Sequence, residues 1–178
     1  LLEIGSTASF STMRIVKFLL LGAALSTPVS ALAATLPARQ PGLWQSTTTV
    51  TDSKGTPLPH AAGIVTVSCV DPATDLKFFF SGTSQCTSVH VDGADPTYVI
   101  TGNCKDEFGK PVKINESLTY ASLQSVALTA IIASPNGPLH VTSQLAYQGD
   151  CLPGMQPGDE GDIENGAFSK ADNVLQFQ

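Results

Sequence analysis

Val112-Lys113-Ile114-Asn115-Glu116-Ser117-Leu118-Thr119-Tyr120 decides the fold class. Apolar residues alternate with polar ones, so Val112, Ile114, Leu118 and Tyr120 share one face. Successive side chains of an extended strand point to opposite faces. The pattern therefore predicts a strand with one buried side. The segments around it repeat the pattern. Leu123 to Ala133 lines up Val126, Leu128, Ala130 and Ile132; Leu139 to Gln148 lines up Leu139, Val141, Leu145 and Tyr147. Upstream, Tyr98 to Cys104 places Tyr98, Ile100, Gly102 and Cys104 together, and Ser84 to Asp92 reads as its partner, closed by Asp92-Gly93. Leu43 to Thr51 is a first strand with Trp44, Ser46, Thr48 and Val50 on one face, followed by Ile64 to Val70. Gly, Pro, Asn and Asp punctuate at intervals of about ten residues, as turns between short strands do. The expected fold is all-β: an antiparallel meander forming a strongly curved sheet, a barrel or a sandwich. At most one short helical turn fits, near residues 71–80. There Asp71 suits an N-cap and Pro72 the first helical position. Leu76-Lys77-Phe78-Phe79-Phe80 reads equally as the end of that turn or as a strand.

Met13 opens a secretory leader. Arg14 and Lys17 precede the apolar run Phe18 to Leu25, and Ala31-Leu32-Ala33 supplies small residues for cleavage after Ala33. The run is too short for the roughly 20 residues of a membrane span, so none is expected after cleavage. Leu1 to Thr12 reads as an upstream extension. Cys69, Cys86, Cys104 and Cys151 follow the leader, and an even count of exported cysteines implies two disulfides. Cys69 and Cys86 flank one compact excursion, which favours Cys69–Cys86 and Cys104–Cys151 as the pairs. The expected location is periplasmic or secreted.

Residues 34–156 then form a single β domain, with Ala34 to Gln40 as a polar lead-in. Residues 157–178 carry Asp159, Glu160, Asp162, Glu164 and Asp172 against Lys170 without strand alternation, which reads as a flexible acidic tail. On this reading its removal leaves the thermal transition nearly unchanged. Beyond Ala33 seven Lys/Arg face fourteen Asp/Glu, a net charge of −7. That balance disfavours binding to a phosphate backbone, and no nucleic-acid partner is expected.

Catalytic constellations are not readable. Ser81-Gly82-Thr83-Ser84 is not a nucleophile elbow, and cysteines that all pair supply no thiolate. His60, His90 and His140 are far apart, and the tail acids do not match a calcium loop, so no metal or other cofactor is expected. Two residues stand out as ligand-binding candidates. Glu116 falls on the buried face of its strand, where a carboxylate costs several kcal/mol unless it is paired. It either lines a polar spot in a cavity, turns outward at a bulge, or pairs with a lysine such as Lys113. Trp44, the sole tryptophan, is either a stacking platform for a ligand or a plug in the core.

Pro41-Gly42-Leu43-Trp44, Cys69-Val70-Asp71-Pro72, Cys86, Cys104 and the closing Gly149-Asp150-Cys151 resemble a family of small exported bacterial proteins, domain of unknown function family 3617. The resemblance spans Pro41 to Cys151. Gln45 stands where family members usually carry an acid. The resemblance implies a secreted, mostly β domain with two structural disulfides, and it implies no activity. The expected function is an exported, non-catalytic β domain binding a small apolar or amphipathic ligand. The alternative is a structural or protein-interaction component of the cell envelope.

Overall fold

The computed structural model describes residues 34–80, 83–106, 109–132 and 137–176. The expected leader, the extension before it and the Ser81-Gly82 loop lie outside the described residues. The strands are β1 (Gly42–Thr51), β2 (Ile64–Val70), β3 (Thr83–Ala94), β4 (Thr97–Asp106), β5 (Pro111–Ser122), β6 (Ser125–Ile132), β7 (Leu139–Gly149), β8 (Asp159–Glu164) and β9 (Ala167–Asn173). They form one antiparallel sheet in the order β3-β4-β5-β6-β7-β1-β2-β8-β9, curled but not closed. The expected meander is present from β3 to β7. β1 then inserts beside β7, so the first strand lies inside the sheet and β3 and β9 form its edges.

The alternating faces read from the sequence are the faces observed. Ile100, Leu118 and Val126 are fully buried and cluster with Trp44, Val70, Phe79, Tyr98 and Tyr120. Each such side chain contributes about 1.5–3 kcal/mol by leaving water. The β3–β4 connection falls at Asp95-Pro96, a cis peptide, and Asp92 and Gly93 stay inside the ladder opposite Val99 and Tyr98.

Between β2 and β3 the chain crosses from one region of the sheet to its far edge. The crossing contains a 3-10 helix, Asp75–Phe80, so the Leu76-to-Phe80 ambiguity resolves as helix. Asp71 caps the approach: Oδ1 accepts from the backbone N–H of Ala73 and Thr74 at 3.0 and 2.8 Å and from the Thr74 hydroxyl at 2.8 Å. This is the capping role its sequence position implies. Phe79 joins the core, with Phe78 and Phe80 against it. The helix thus fills the hollow of the curled sheet.

Two expectations need correction. The disulfides are Cys69–Cys151 and Cys86–Cys104, with Cα separations of 5.4 and 3.9 Å. The Asp71-to-Gln85 excursion is not a local loop but the crossing, so it carries Cys86 away from Cys69. The β3–β4 ladder, through Thr87 opposite Asn103, brings Cys86 beside Cys104. Leu43 of β1 lies opposite both Cys69 and Gly149, which brings Cys69 and Cys151 together across one strand. In the chain-entropy model the bridges contribute about 4.5 and 3 kcal/mol, the longer loop the more.

The polar lead-in packs on the sheet. Ala34 N–H donates to Val91 O at 3.2 Å, Gln40 N–H to Leu123 O at 2.9 Å, and Ala34 and Leu36 pack on the core.

The acidic tail, expected to be flexible, folds as the β8–β9 hairpin on β2. Gly158 N–H donates to Cys69 O at 2.8 Å and Val174 N–H to Gly158 O at 2.9 Å. Asp159, 2 % exposed, accepts from Asn173 Nδ2 and Lys170 Nζ at 2.8 and 2.6 Å and from the Gln156 N–H at 2.8 Å. Gly161 is no linker glycine. A Cβ there would strike the Ser169 carbonyl oxygen and lie 2.9 Å from Ala171 N, at the register shift between Glu160 and Gly161. A bulge in a strand uses glycine in this way, and the break in alternation hides the strand.

Truncation after Gly154 therefore lowers stability. It bares the edge of β2 and removes the buried Val174. The expected fall in melting temperature exceeds about 4 °C, more than roughly 1 kcal/mol for a domain of this size. An unchanged calorimetric transition would return the segment to the status of a tail.

Candidate functional site

The site is built from the inward face of β1, β2, β6 and β7 together with the lead-in and the 3-10 helix. Register fixes the rows. Trp44 lies opposite Ser68 and Tyr147, Ser46 opposite Thr66 and Leu145, and Thr48 opposite Ile64 and Ser143. Leu128 follows Ser143 on β6. The hydroxyls partner one another across strands. Ser46 Oγ and Thr66 Oγ1 are 2.5 Å apart, and Thr48 Oγ1 and Ser143 Oγ 2.8 Å. These side chains, with Ser68, Val141, Phe78, Phe79, Arg39 and Glu160, line a groove of about 370 Å³. That is within the size range of small-molecule sites. Its lining interleaves hydroxyls with aliphatic side chains along β2 and β7 and adds Phe78 and Phe79 from the 3-10 helix.

Arg39 closes the Trp44 end of the groove. It is 3 % exposed. Its Nε donates to Asp75 Oδ1 at 2.6 Å, its backbone N–H to Asp75 Oδ2 at 2.9 Å, and its Nη2 to the Asp75 carbonyl at 3.3 Å. The guanidinium carbon lies 4.9 Å from the Trp44 ring centroid, 4.8 Å from that of Phe79 and 5.8 Å from that of Phe78. A planar, weakly hydrated guanidinium is the cation suited to this setting.

Trp44 is 1 % exposed, and its Nε1 donates to Gln40 O at 2.8 Å. Its ring touches Arg39 and stands edge-on to Tyr147, with centroids 6.2 Å apart. It is in the core and not among the side chains lining the groove.

Glu116 keeps strict alternation between Ile114 and Leu118, opposite Ile100 and Ala130, so no bulge turns it outward. Its Oε2 is buried without a hydrogen-bond partner. Burial pushes its pKa from 4.5 up to about 7. The Tyr120 hydroxyl, four residues on along the same face, is also buried without a partner. Burial foremost, with the Asp75 charge, pushes it up to about 12 although Arg39 opposes. Glu116 is not among the groove-lining residues, so the two sequence candidates are not brought together there. Burial alone would raise Asp159 as well, but the bonds from Asn173, Lys170 and the Gln156 N–H outweigh it and hold that carboxyl below its ordinary value.

The side chains that sequence reasoning missed are Arg39, Asp75 and Glu160. Arg39 stands immediately before Gln40-Pro41-Gly42, and Asp75 three residues before the aromatic run that starts at Phe78. A lone basic residue beside the motif and a lone acid beside Phe78-Phe79-Phe80 were the available signals. Only the fold makes them partners. The hydroxyl wall was half legible, since Ser46 and Thr48 share the face of Trp44.

A family model described as Protein of unknown function (DUF3617) matches residues 39–151. The chain belongs to that family. The match begins at Arg39 and ends at Cys151, so the β8–β9 hairpin lies beyond it. No curated protein matches the chain, and no solved structure does. Of the motifs that carry the resemblance, Pro41-Gly42-Leu43-Trp44, Cys69-Val70-Asp71-Pro72 and Gly149-Asp150-Cys151 meet in space, while Cys86 and Cys104 pair on β3 and β4. Gly42, at φ +135°, passes so close to Gly149 that a Cβ would strike the Gly149 carbonyl oxygen and come within 2.8 Å of the Tyr147 ring. Leu43 pairs with Cys69 and Gly149, and Cys69 bonds Cys151. They form one structural knot.

Two predictions follow from these charges. Arg39→Met leaves Asp75 buried and unpaired and should cost about 3–5 kcal/mol in urea unfolding, whereas Arg39→Met with Asp75→Leu recovers much of the loss. A double variant as unstable as the single one would rule out unpaired charge as the cause. For Glu116 the folded pKa lies above the unfolded one. Between about pH 4.5 and 7 the unfolded chain has released a proton that the folded chain retains, so stability falls as pH rises through that window and is level above it. Glu116→Gln should remove this slope, on the order of 3 kcal/mol in total, in denaturation curves at pH 4.5 and 8.

Proposed function

We propose that this chain is an exported, non-catalytic β module that holds a small amphipathic molecule in the groove on the inner face of its sheet. The observation that carries the reading is the groove itself: about 370 Å³, lined by hydroxyls together with Leu128, Val141, Leu145, Phe78 and Phe79. Concave, largely apolar sites with a few placed polar groups are where small ligands bind. The two disulfides are compatible with an extracytoplasmic location, where such bonds persist. Among the described residues no helix is long and apolar enough to cross a membrane. Trp44 serves the site indirectly on this reading, by holding Arg39 in place. Glu116 tunes the stability of the adjoining face rather than touching the ligand.

Val141 is half-buried and lines the groove, and Val141→Trp fills it. Titration with the uncharged fluorophore N-phenyl-1-naphthylamine should give saturable enhancement with the native protein. The variant should bind at least tenfold more weakly at an unchanged melting temperature. No enhancement with the native protein would sink the proposal.

A further inference from the structure

We propose that the outward face of the sheet carries a second site, a hollow across β3 to β6 that binds a small, hydroxyl-rich organic anion of the sugar-acid class with its carboxylate against Lys113. The hollow shares no lining residue with the groove on the inward face, so the two sites are independent.

The hollow measures about 590 Å³, within the range of small-molecule sites. Register builds its floor. His90 lies opposite Thr101, Thr101 opposite Asn115, and Asn103 opposite Lys113. These residues alternate with the inward Ile100, Gly102, Ile114 and Glu116, so their side chains point outward. His90 reaches this face through a bulge. Between the Thr87–Asn103 and His90–Thr101 pairs, β3 has two residues and β4 has one. Alternation from Thr87 without the extra residue would turn His90 inward. With it, His90 faces out, and Val89 Cγ2 lies 3.5 Å from where a Cβ on Gly102 would stand. Ser88, in the bulge, has φ +54°. Bulges re-aim side chains beside sites, and a left-handed serine is strain of the kind that ligand sites hold. The Cys86–Cys104 bridge secures β3 just ahead of it.

The ligand class follows from the lining. Lys113 is exposed, and no ion pair among the described residues involves it. The lining contains no Asp or Glu, although acids outnumber Lys and Arg along the chain. Asp92, the next outward residue on β3, lies opposite Val99 and outside the lining. An anion in the hollow therefore meets an opposite charge and no carboxylate, and an ammonium ligand meets the reverse. Ser88, Thr101, Asn103 and Asn115 each carry both donor and acceptor atoms. Sugar hydroxyls, which also donate and accept, match them. An apolar ligand would desolvate these groups without compensation. Ile131 and Pro138 supply apolar contact for the C–H groups of a ring.

Amide-resolved NMR titrations of the disulfide-bonded protein test this with five probes. Galacturonate, galactose and galactosamine share a ring and differ in charge; acetate and inorganic phosphate carry charge without the ring. Galacturonate should shift the amides of residues 101–103 and 113–115 saturably and bind at least fivefold more tightly than any other probe. Lys113→Gln should weaken galacturonate about fivefold at an unchanged melting temperature, the effect of one unit charge roughly 4 Å away in water. Lys113→Arg should stay within twofold of the native protein. Galactose binding as tightly as galacturonate, or an unmoved affinity in Lys113→Gln, would overturn the role of the charge. Acetate or phosphate matching galacturonate would reduce the hollow to a charged patch and overturn the ligand class. Shifts confined to other residues, or none with galacturonate, would remove the site and leave the inward groove untouched.

Discussion

A guanidinium sealed beneath a curled sheet must be neutralised where it lies, and Arg39 is neutralised by Asp75. The rest of the interior is arranged around that requirement. Arg39 belongs to the lead-in and Asp75 to the crossing between β2 and β3. Their bonds tie both segments to the hollow of the sheet, and Trp44 of β1 completes the enclosure. Hydrophobic burial supplies the larger energy through Ile100, Leu118, Val126 and Trp44. Burial is non-directional, however, whereas the ion pair demands one geometry. It specifies where the 3-10 helix sits, and hence where the groove ends.

The two disulfides act on different problems. Cys86–Cys104 staples a hairpin whose ladder shifts register on β3, next to a segment that leaves the ladder. Cys69–Cys151 spans β1 at the place where the strand series doubles back on itself. Gly42 and Gly149 allow the backbones to approach there, and the hairpin's Gly158 adds a hydrogen bond to Cys69. The short motifs shared with the family thus secure the seam of the fold. The groove lies further along the same strands, and Arg39, where the family match begins, is one of its lining residues.

Polar residues stand at several positions of the inward face. Ser46, Thr48, Thr66 and Ser143 interrupt an otherwise apolar surface and satisfy one another in pairs. Glu116 and Tyr120 interrupt it without such partners. A sheet under pressure only to pack would carry aliphatic side chains at these positions. Their presence is the departure from local consistency that functional or strained sites produce.

The sequence by itself determined the strands β1 to β7, their inward faces and the place of Glu116 on one of them, because alternation is a local property of an extended chain. It also determined that Asp71 caps a turn and that four cysteines form two bonds. The tertiary structure decided which cysteines pair, that Arg39 meets Asp75, that the acidic segment closes on β2, and that hydroxyls from three strands line one groove. Each of these depends on the register between segments tens of residues apart. Such register is set by the crossing through the 3-10 helix and by the insertion of β1 beside β7, for which no local pattern exists. The hairpin was hidden for a further reason. Its glycines and acids serve a bulge and a buried hydrogen-bonded carboxylate, and in composition these are indistinguishable from a solvated tail.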